Sequence, residues 1–318
     1  MHINEIDSNS PMGKLFEEVK ILLGDNSVCI NYINNLDDLD DRESRVNAGS
    51  CAKILPNGAW RIEICKDEPF IDYILSHELL HVLLDTKGFP NTYFIDANIC
   101  CQFSDDMGNM IKNIVIHKVI IQEQLSRGFN IVDAPKKKLK NVVETWPNIT
   151  NLTDSTLWYL LALTSFMIEA EFCLSEYESA IDIKNPILYK SAKFLYEVII
   201  EQKLETPYKT RKVLIKVLKK FDELLVENNI APLKLFEKLL IRFIPTEWQL
   251  QLKVNQVFNV RKSSKDDSLF LFTNSEGQLS FDFQNGAQEA VLQEIQNMTI
   301  ESLLKMSYGN YVVHKTKK

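Results

Sequence analysis

The chain has 318 residues, of which 45% are hydrophobic and 25% charged, and its formal net charge is −7. This composition excludes a collagen-like, low-complexity or wholly disordered chain, and it suffices for one large core or two moderate ones. The acidic balance disfavours nucleic acid as a partner, because phosphate binding needs a surplus of lysine and arginine. Glycine and proline, with 10 residues each, are scarce, so we expect long helices with few interruptions.

The sequence shows neither the pattern of a secretory signal nor that of a membrane span. Residues 1–14 contain no apolar block of the kind that a signal peptide carries. The most apolar run, Leu157 to Ile168, is shorter than the roughly 20 residues that a span requires, and it predicts a buried helix instead. The six cysteines include no CxxC pair, which favours reduced thiols. We therefore expect a cytoplasmic protein that does not associate with a membrane.

One helix and one strand are predicted at the start of the chain. Apolar residues recur at helical spacing before Gly24, which supplies a stop. Alternation at Val28, Ile30 and Tyr32 then predicts a short strand with one buried face. The apolar positions of the helix are Leu15, Phe16, Val19, Leu22 and Leu23.

A β-hairpin is predicted after a polar, acidic loop at residues 34–43. A strand near residues 50–55 reaches a turn signal, Pro-Asn-Gly, at residues 56–58. Apolar and polar residues alternate beyond the turn, over residues 60–65. The two segments therefore predict paired strands with one buried face.

The next predicted helix carries the residues on which the functional prediction depends. It begins near Pro69, ends before Gly88 and contains His77, Glu78 and His81 in the HExxH pattern of zinc-binding helices. Residues four apart lie on one helix face, so both imidazoles can bind one Zn²⁺ ion at about 2.0–2.1 Å from each nitrogen. Glu78 lies one step around the helix and is placed to act on a zinc-bound water without being a ligand.

A second long helix supplies the first candidate for a third ligand. It should begin at Asp105 or Asp106 and end at Gly128. A catalytic zinc site needs three protein ligands and an open position. His117 lies on the apolar stripe of this helix, where a third ligand is expected. The stripe comprises Met110, Ile114, Ile121 and Leu125.

Four carboxylates compete with His117 for the third ligand position. Asp106 shares the helix face of His117 and ranks second, whereas Glu123 is on the wrong side of an ideal helix and ranks last. Asp96 and Asp105 lie in the loop between the two helices. Carboxylate oxygens also bind zinc, so the sequence leaves these alternatives open.

The remainder of the chain is predicted to be mostly helical. Residues 133–140, with Pro135 and four lysines, form the best candidate boundary, because prolines and charge runs resist packing. Helical spacing continues until a hairpin at residues 268–272 and 279–283 and a final helix over residues 287–304. This part shows no cluster of ligating residues, so we expect it to select substrates rather than to carry out chemistry.

These elements predict an α+β protein in three parts. Residues 1–134 form a small core that comprises a helix, a three-stranded sheet, the HExxH helix and the ligand helix. Residues 141–260 form a mainly α-helical region, and residues 261–318 form a C-terminal hairpin with a helix.

The order helix, three strands, HExxH helix and second helix resembles the compact zincin core. The phrase SHELLHVLL followed by GFP is similar to the ImmA/IrrE-type metallopeptidases and the related minigluzincins, and the resemblance covers about residues 15–128. It implies a zinc metallopeptidase. In such families a Glu from the second helix often supplies the third ligand, and this chain has no well-placed Glu there.

We therefore expect a zinc-dependent metallopeptidase that hydrolyses peptide bonds in a protein or peptide substrate. Glu78 would take a proton from a zinc-bound water and pass it to the leaving amine. One strand of the hairpin at residues 50–65 would bind an extended substrate by strand addition. The alternative is a non-catalytic, zinc-containing sensor or interaction protein whose helical half binds a partner. Glu78 favours catalysis, because a structural zinc site needs four protein ligands and no acid/base group.

A basic stretch over residues 209–220 raises the question of nucleic acid again. Apolar residues at helical spacing lie between its lysines. That pattern is typical of an ordinary packed helix with a solvated face, so we expect no nucleic-acid partner.

Overall fold

The computed structural model describes residues 7–24, 28–34, 50–55, 59–66, 69–94, 102–262, 269–284, 289–308 and 311–315. In this part of the chain, helices predominate and the strands form three small sheets. The protein is therefore α+β, as the sequence predicts.

The chain divides into two compact units, and each consists of two separate segments. The first unit comprises residues 1–86 and 113–202, and the second comprises residues 87–112 and 203–318. The three domains predicted from the sequence, over residues 1–134, 141–260 and 261–318, group the chain differently and stay a prediction.

The first unit begins with a helix and a small mixed sheet, and helices follow. Its strands are β1 (Val28–Ile33), β2 (Ser50–Ile54) and β3 (Trp60–Cys65). Its first helices are α1 (Pro11–Leu23), α2 (Ile71–Thr86) and the second part of α3 (Gln102–Ser126). The later helices are α4 (Asp133–Thr145), α5 (Leu157–Glu169), α6 (Glu178–Lys184) and α7 (Pro186–Ile200).

The sheet of the first unit confirms the predicted hairpin. β2 pairs with β3 antiparallel, and β1 pairs with the other side of β3 in parallel, so the strand order is β1-β3-β2. Ile62 and Ile64 of β3 are fully buried, and α2 packs on β2 and β3. The predicted turn at residues 56–58 and the predicted loop at residues 34–43, apart from Asn34, lie outside the described residues.

Helices α2 and α3 follow the prediction, with different bounds for α3. α3 begins at Gln102, a few residues before the predicted start, and ends at Ser126, after which Gly128 has a φ of +82°. Glycine adopts this left-handed conformation without the steric cost that a β-carbon imposes, which suits the end of a helix.

Two leucines of the predicted apolar stripes are exposed in the structure. Leu22 of α1 is 47% exposed and Leu125 of α3 is 54% exposed, although earlier stripe residues such as Phe16 and Ile114 are buried. Both leucines lie in the last turn of their helix. Helical periodicity continues to the helix end, whereas burial stops where the covering elements stop.

The expectation that residues 133–140 resist packing is wrong, whereas the domain boundary proposed there stays a prediction. They form most of α4, in which Ala134, Pro135 and Leu139 are buried. Pro135 lies in the first turn, where a missing backbone N–H leaves no helical hydrogen bond unmade. The lysines have carboxylate or aromatic partners, and Lys138 Nζ forms an ion pair with Glu169 at 2.6 Å.

The apolar run of the sequence forms the buried helix α5, as predicted. Most of its 13 residues are buried, including Glu169 at its last position. In the part of the chain that the structure describes, no helix combines the length and the apolar character that crossing a membrane requires.

The second unit combines one long helix and several short ones with two small sheets. Its helices are the first part of α3, then α8 (Pro207–Glu227), α9 (Leu235–Lys238), α10 (Val254–Val257), α11 (Glu289–Asn297) and α12 (Ile300–Tyr308). β4 (Thr92–Phe94) pairs with β5 (Leu239–Ile241), and β6 (Phe258–Lys262), β7 (Leu269–Asn274) and β8 (Leu279–Gln284) form a meander. The predicted late hairpin is therefore confirmed as β7 and β8, with β6 as an additional strand.

The predicted single helix at residues 287–304 is instead the pair α11 and α12. The backbone between them pairs with another segment, because Val254 N–H donates to the Met298 carbonyl and Ile300 N–H donates to the Leu252 carbonyl. Thr299 Oγ1 then accepts a hydrogen bond from Ser302 N–H, at the start of α12. This side chain is an N-cap, which explains why a new helix begins there.

Candidate metal centre

Helix α2 places two imidazoles on one face. His77 and His81 are four residues apart, and their Nε2 atoms lie 3.2 Å from each other. His77 is 8% exposed, and its neighbours Leu79, Leu80 and Leu83 are buried. The helix therefore presents both imidazoles next to an apolar layer.

Helix α3 brings a third imidazole to the same point. His117 Nε2 lies 3.2 Å from His77 Nε2, and the ligating atoms of His77, His81 and His117 all lie within 4.8 Å of one another. The three rings meet at angles of 64–74°, so none stacks on another. The structure thus brings together the two histidines of the HExxH pattern and the first candidate for the third ligand.

Hydrogen bonding alone does not explain this cluster. An imidazole Nε2 carries either one hydrogen or one in-plane lone pair, so His77 Nε2 can make at most one of its two short contacts as a hydrogen bond. Two nitrogens bound to one tetrahedral zinc at 2.0–2.1 Å lie about 3.3–3.4 Å apart. The observed 3.2 Å separations match that geometry, so the three residues fit a metal ion.

A buried carboxylate from α5, that of Glu169, lies next to Nδ1 of His117. His117 Nδ1 is 3.1 Å from Glu169 Oε1 and 2.9 Å from Ser165 Oγ. Ser165 Oγ–H also donates to Glu169 Oε1 at 3.1 Å. The other carboxylate oxygen, Oε2, accepts from Lys138 Nζ at 2.6 Å and from the Tyr73 hydroxyl at 2.9 Å.

The charge states of the centre follow from burial and these contacts. Burial alone would raise the pKa of Glu169, but Lys138 and His117 overcome it and hold that pKa well below its ordinary value. Burial, with the His117 imidazole adding to it, lowers the pKa of His77 well below its ordinary value. Burial, reinforced by Glu169, raises the pKa of Tyr73 well above its ordinary value. Glu169 is therefore a carboxylate, His77 a neutral imidazole and Tyr73 a hydrogen-bond donor near neutral pH.

A buried glutamine holds α3 against α2 beside the cluster. Gln124 Nε2 donates to the Tyr73 carbonyl at 2.9 Å and to Ser76 Oγ at 2.7 Å. Gln124 follows His117 by seven residues, two helical turns, so the two side chains share one face of α3. Gln124 thus fixes the position of α3 along α2, and with it the position of His117.

The competing carboxylates are not part of the described histidine cluster. Asp105, Asp106 and Glu123 are absent from the group of converging donor atoms among the described residues, and Glu123 pairs with Arg127 at 3.1 Å. Asp96 lies outside the described residues.

Glu78, the predicted catalytic residue, is buried in α2 and is 7% exposed. It is also absent from the group of converging donor atoms. The role of Glu78 as a base rather than a ligand stays a prediction.

Sequence reasoning missed Glu169 and Lys138. One signal was present, because Glu169 directly follows the most apolar run of the chain and lies four residues after Ser165. A carboxylate at the end of a buried helix needs partners, since an unpaired buried charge is strongly unfavourable. Which partners it finds depends on contacts with α3 and α4 that no local pattern encodes.

Comparisons of the chain with family models, with curated proteins and with solved structures found no match. The chemistry of the protein is therefore inferred from the geometry of the centre and from the residue types within it.

Proposed function

We propose that the protein is a zinc-dependent metallopeptidase in which His77, His81 and His117 hold the metal and Glu78 is the general base. The observation that carries the proposal is the convergence of three imidazole Nε2 atoms, two of which lie 3.2 Å from the third. Glu78 follows the first of these histidines directly in the sequence.

The donor set supports zinc and an open site. Imidazole nitrogens are common zinc ligands, and three protein ligands with one open position are typical of catalytic rather than structural zinc. In the described part of the chain the cluster contains three donors and no fourth. The proposed site therefore has the number of protein ligands that is typical of catalytic zinc.

Each residue has a separate part in the proposed reaction. A zinc ion held by the three histidines would supply a Lewis acid for the scissile carbonyl and would acidify water. The Glu78 carboxylate takes the proton from the attacking water and later donates it to the leaving amine. Attack by the water forms the new C–O bond, the peptide C–N bond then breaks as the amine takes the proton, and the products are a carboxylic acid and an amine.

The sheet of the first unit suggests how a peptide would bind. β2 is at the edge of the sheet, paired with β3 on one side, and its other side pairs with no strand among the described residues. An extended peptide can add to such an edge through backbone hydrogen bonds. We therefore propose unfolded or extended protein segments as the substrate class.

The proposal is tested on the purified full-length protein by zinc content and by cleavage of a labelled unfolded protein. His77→Ala and His81→Ala should each lose the zinc, because each removes a ligand. Glu78→Gln should keep the zinc and lose cleavage, because the amide cannot accept the proton. Asp72→Asn, an exposed change in the same helix, is the control and should preserve both properties.

Unchanged zinc content in both histidine variants would overturn the site. Cleavage that persists in Glu78→Gln would overturn the role of the base. Stoichiometric zinc without any cleavage by the unaltered protein would favour the alternative, a non-catalytic zinc-containing sensor or interaction protein.

A further inference from the structure

We propose that Glu169 is a positioning residue for the third metal ligand, and that helix α5 is therefore part of the metal centre. In this role the Glu169 carboxylate accepts the Nδ1 hydrogen of His117 and so leaves the Nε2 lone pair free for the metal. The inference rests on the metal site proposed above and deepens it.

Both oxygens of the Glu169 carboxylate have polar partners. Glu169 is 1% exposed, and each of its oxygens faces two donors. Oε1 faces His117 Nδ1 and Ser165 Oγ, and Oε2 faces Lys138 Nζ and the Tyr73 hydroxyl. His117 Nδ1 lies 2.9 Å from Ser165 Oγ and 3.1 Å from Glu169 Oε1, so the contact with Ser165 is the shorter one. The Ser165 hydroxyl hydrogen is directed to Glu169 Oε1, and a charged acceptor forms the stronger hydrogen bond, so we assign the Nδ1 hydrogen of His117 to the carboxylate.

A purely structural salt bridge would not require this geometry. The ion pair with Lys138 uses Oε2 alone, and a pair of that kind is complete without a contact to an imidazole. The second oxygen is instead turned toward His117, and Ser165 supports it from one helical turn earlier. The Oε1 atom therefore lies where it can accept the Nδ1 hydrogen of His117.

The chemical consequence concerns the tautomer of His117. A neutral imidazole carries its hydrogen on one nitrogen, and the hydrogen bond of that nitrogen determines which one remains free to bind a metal. His77 differs, because its Nδ1 is buried and has no hydrogen-bond partner among the residues that the structure describes. Of these two ligands, His117 is the one whose tautomer and ring orientation are fixed by a carboxylate, and loss of such a partner typically costs 10–100-fold in metal affinity.

The first test measures zinc affinity of the full-length protein by competition with a chelator. Glu169→Gln should weaken zinc binding by 10–100-fold. Glu176→Gln is the matched control, because it breaks a lysine–carboxylate pair with Lys136 at an exposed position that has no contact with His117. The control should bind zinc within about twofold of the unaltered protein.

The second test separates Glu169 from its neighbour. Ser165→Ala removes the hydroxyl near His117 Nδ1 and keeps the carboxylate, so zinc affinity should fall by less than about fivefold, the equivalent of one neutral hydrogen bond. A loss in Ser165→Ala as large as that in Glu169→Gln would overturn the assignment of Glu169 as the acceptor. Equal affinities of Glu169→Gln and the unaltered protein would overturn it too.

A third measurement remains decisive even if Glu169→Gln does not fold. In the zinc-loaded, ¹⁵N-labelled protein, the His117 Nδ1 proton should resonate strongly downfield and exchange slowly with water, and it should do so in Ser165→Ala as well, because the carboxylate remains. Loss of this resonance in Ser165→Ala would overturn the inference. If the unaltered protein binds no zinc at all, the proposed function fails. If it binds zinc with an affinity that Glu169→Gln does not change, only the positioning role is refuted.

Discussion

His117 is the residue that turns a pair of helical histidines into a three-ligand site. We predict that His117→Ala lowers zinc affinity far more than Asp106→Ala, because the first change removes a ligand whose Nε2 lies 3.2 Å from that of His77. Loss of a supporting group typically costs 10–100-fold, and loss of the ligand itself should cost more. Chelator competition on both variants measures the difference. Equal affinities of the unaltered protein and His117→Ala would transfer the role to a carboxylate.

The three histidines of the site were predictable from the sequence, whereas Glu169, which contacts His117, was not. The spacing of His77 and His81 is a local pattern of one helix, and His117 lies on a periodic apolar stripe of the next. Glu169 reaches His117 across 52 positions of sequence. A contact of that kind depends on how separate helices pack, which local periodicity does not encode.

At the scale of elements, the sequence predicted the strands and helices that contain strong periodicity. The HExxH helix and the hairpin of β2 and β3 are confirmed, with small differences at their ends. The errors occur where distant segments decide the local structure. The break at Met298 and Thr299 coincides with backbone pairing with residues near Val254. No glycine or proline marks it in the sequence, and the N-cap Thr299 is its one local signal.

The end of the HExxH helix depends on a glycine that no other residue can replace without strain. Gly88 follows α2 with a φ of +77°, and a β-carbon there would lie 2.2 Å from Val312 Cγ2. We predict that Gly88→Ala destabilises the protein by roughly 1–3 kcal/mol for the backbone conformation, with an added penalty for the collision. The thermal unfolding midpoint measures the loss.

Gly277→Ala is the matched control for this prediction. Gly277 has a φ of +76°, and a β-carbon there would meet no atom within 4 Å, so this variant carries the backbone cost alone. Gly88→Ala should therefore unfold at a lower temperature than Gly277→Ala. Equal midpoints would show that Val312 gives way without cost.

At the scale of the whole molecule, the metal centre draws on residues far apart in the chain. The three histidines and Glu169 all belong to the first unit, which resumes at residue 113 and extends to residue 202. A fragment of residues 1–135 would end inside α4 and lack α5 altogether. Helix α5 belongs to the part of the chain that was expected to select substrates, and its Glu169 lies next to the proposed ligand His117.

Two fragments test this organisation. We predict that residues 1–202, which contain the whole first unit together with residues 87–112 of the second, bind about one zinc per chain and stay in solution better than residues 1–135. Residues 1–135 should be poorly soluble, because the apolar surface that α5 covers would be exposed. Purification followed by zinc analysis measures both properties. A soluble, zinc-loaded fragment of residues 1–135 would contradict the inclusion of α5 in the centre.

The central claim is that His77, His81 and His117 bind one metal ion together. Zinc-edge X-ray absorption of the full-length protein tests it most directly, because the spectrum reports the number of imidazole ligands and their distances. We predict three imidazole nitrogens at about 2.0–2.1 Å, decreasing to two in any preparation of His117→Ala that retains zinc. Two imidazoles in the unaltered protein, or a spectrum that His117→Ala leaves unchanged, would contradict the claim.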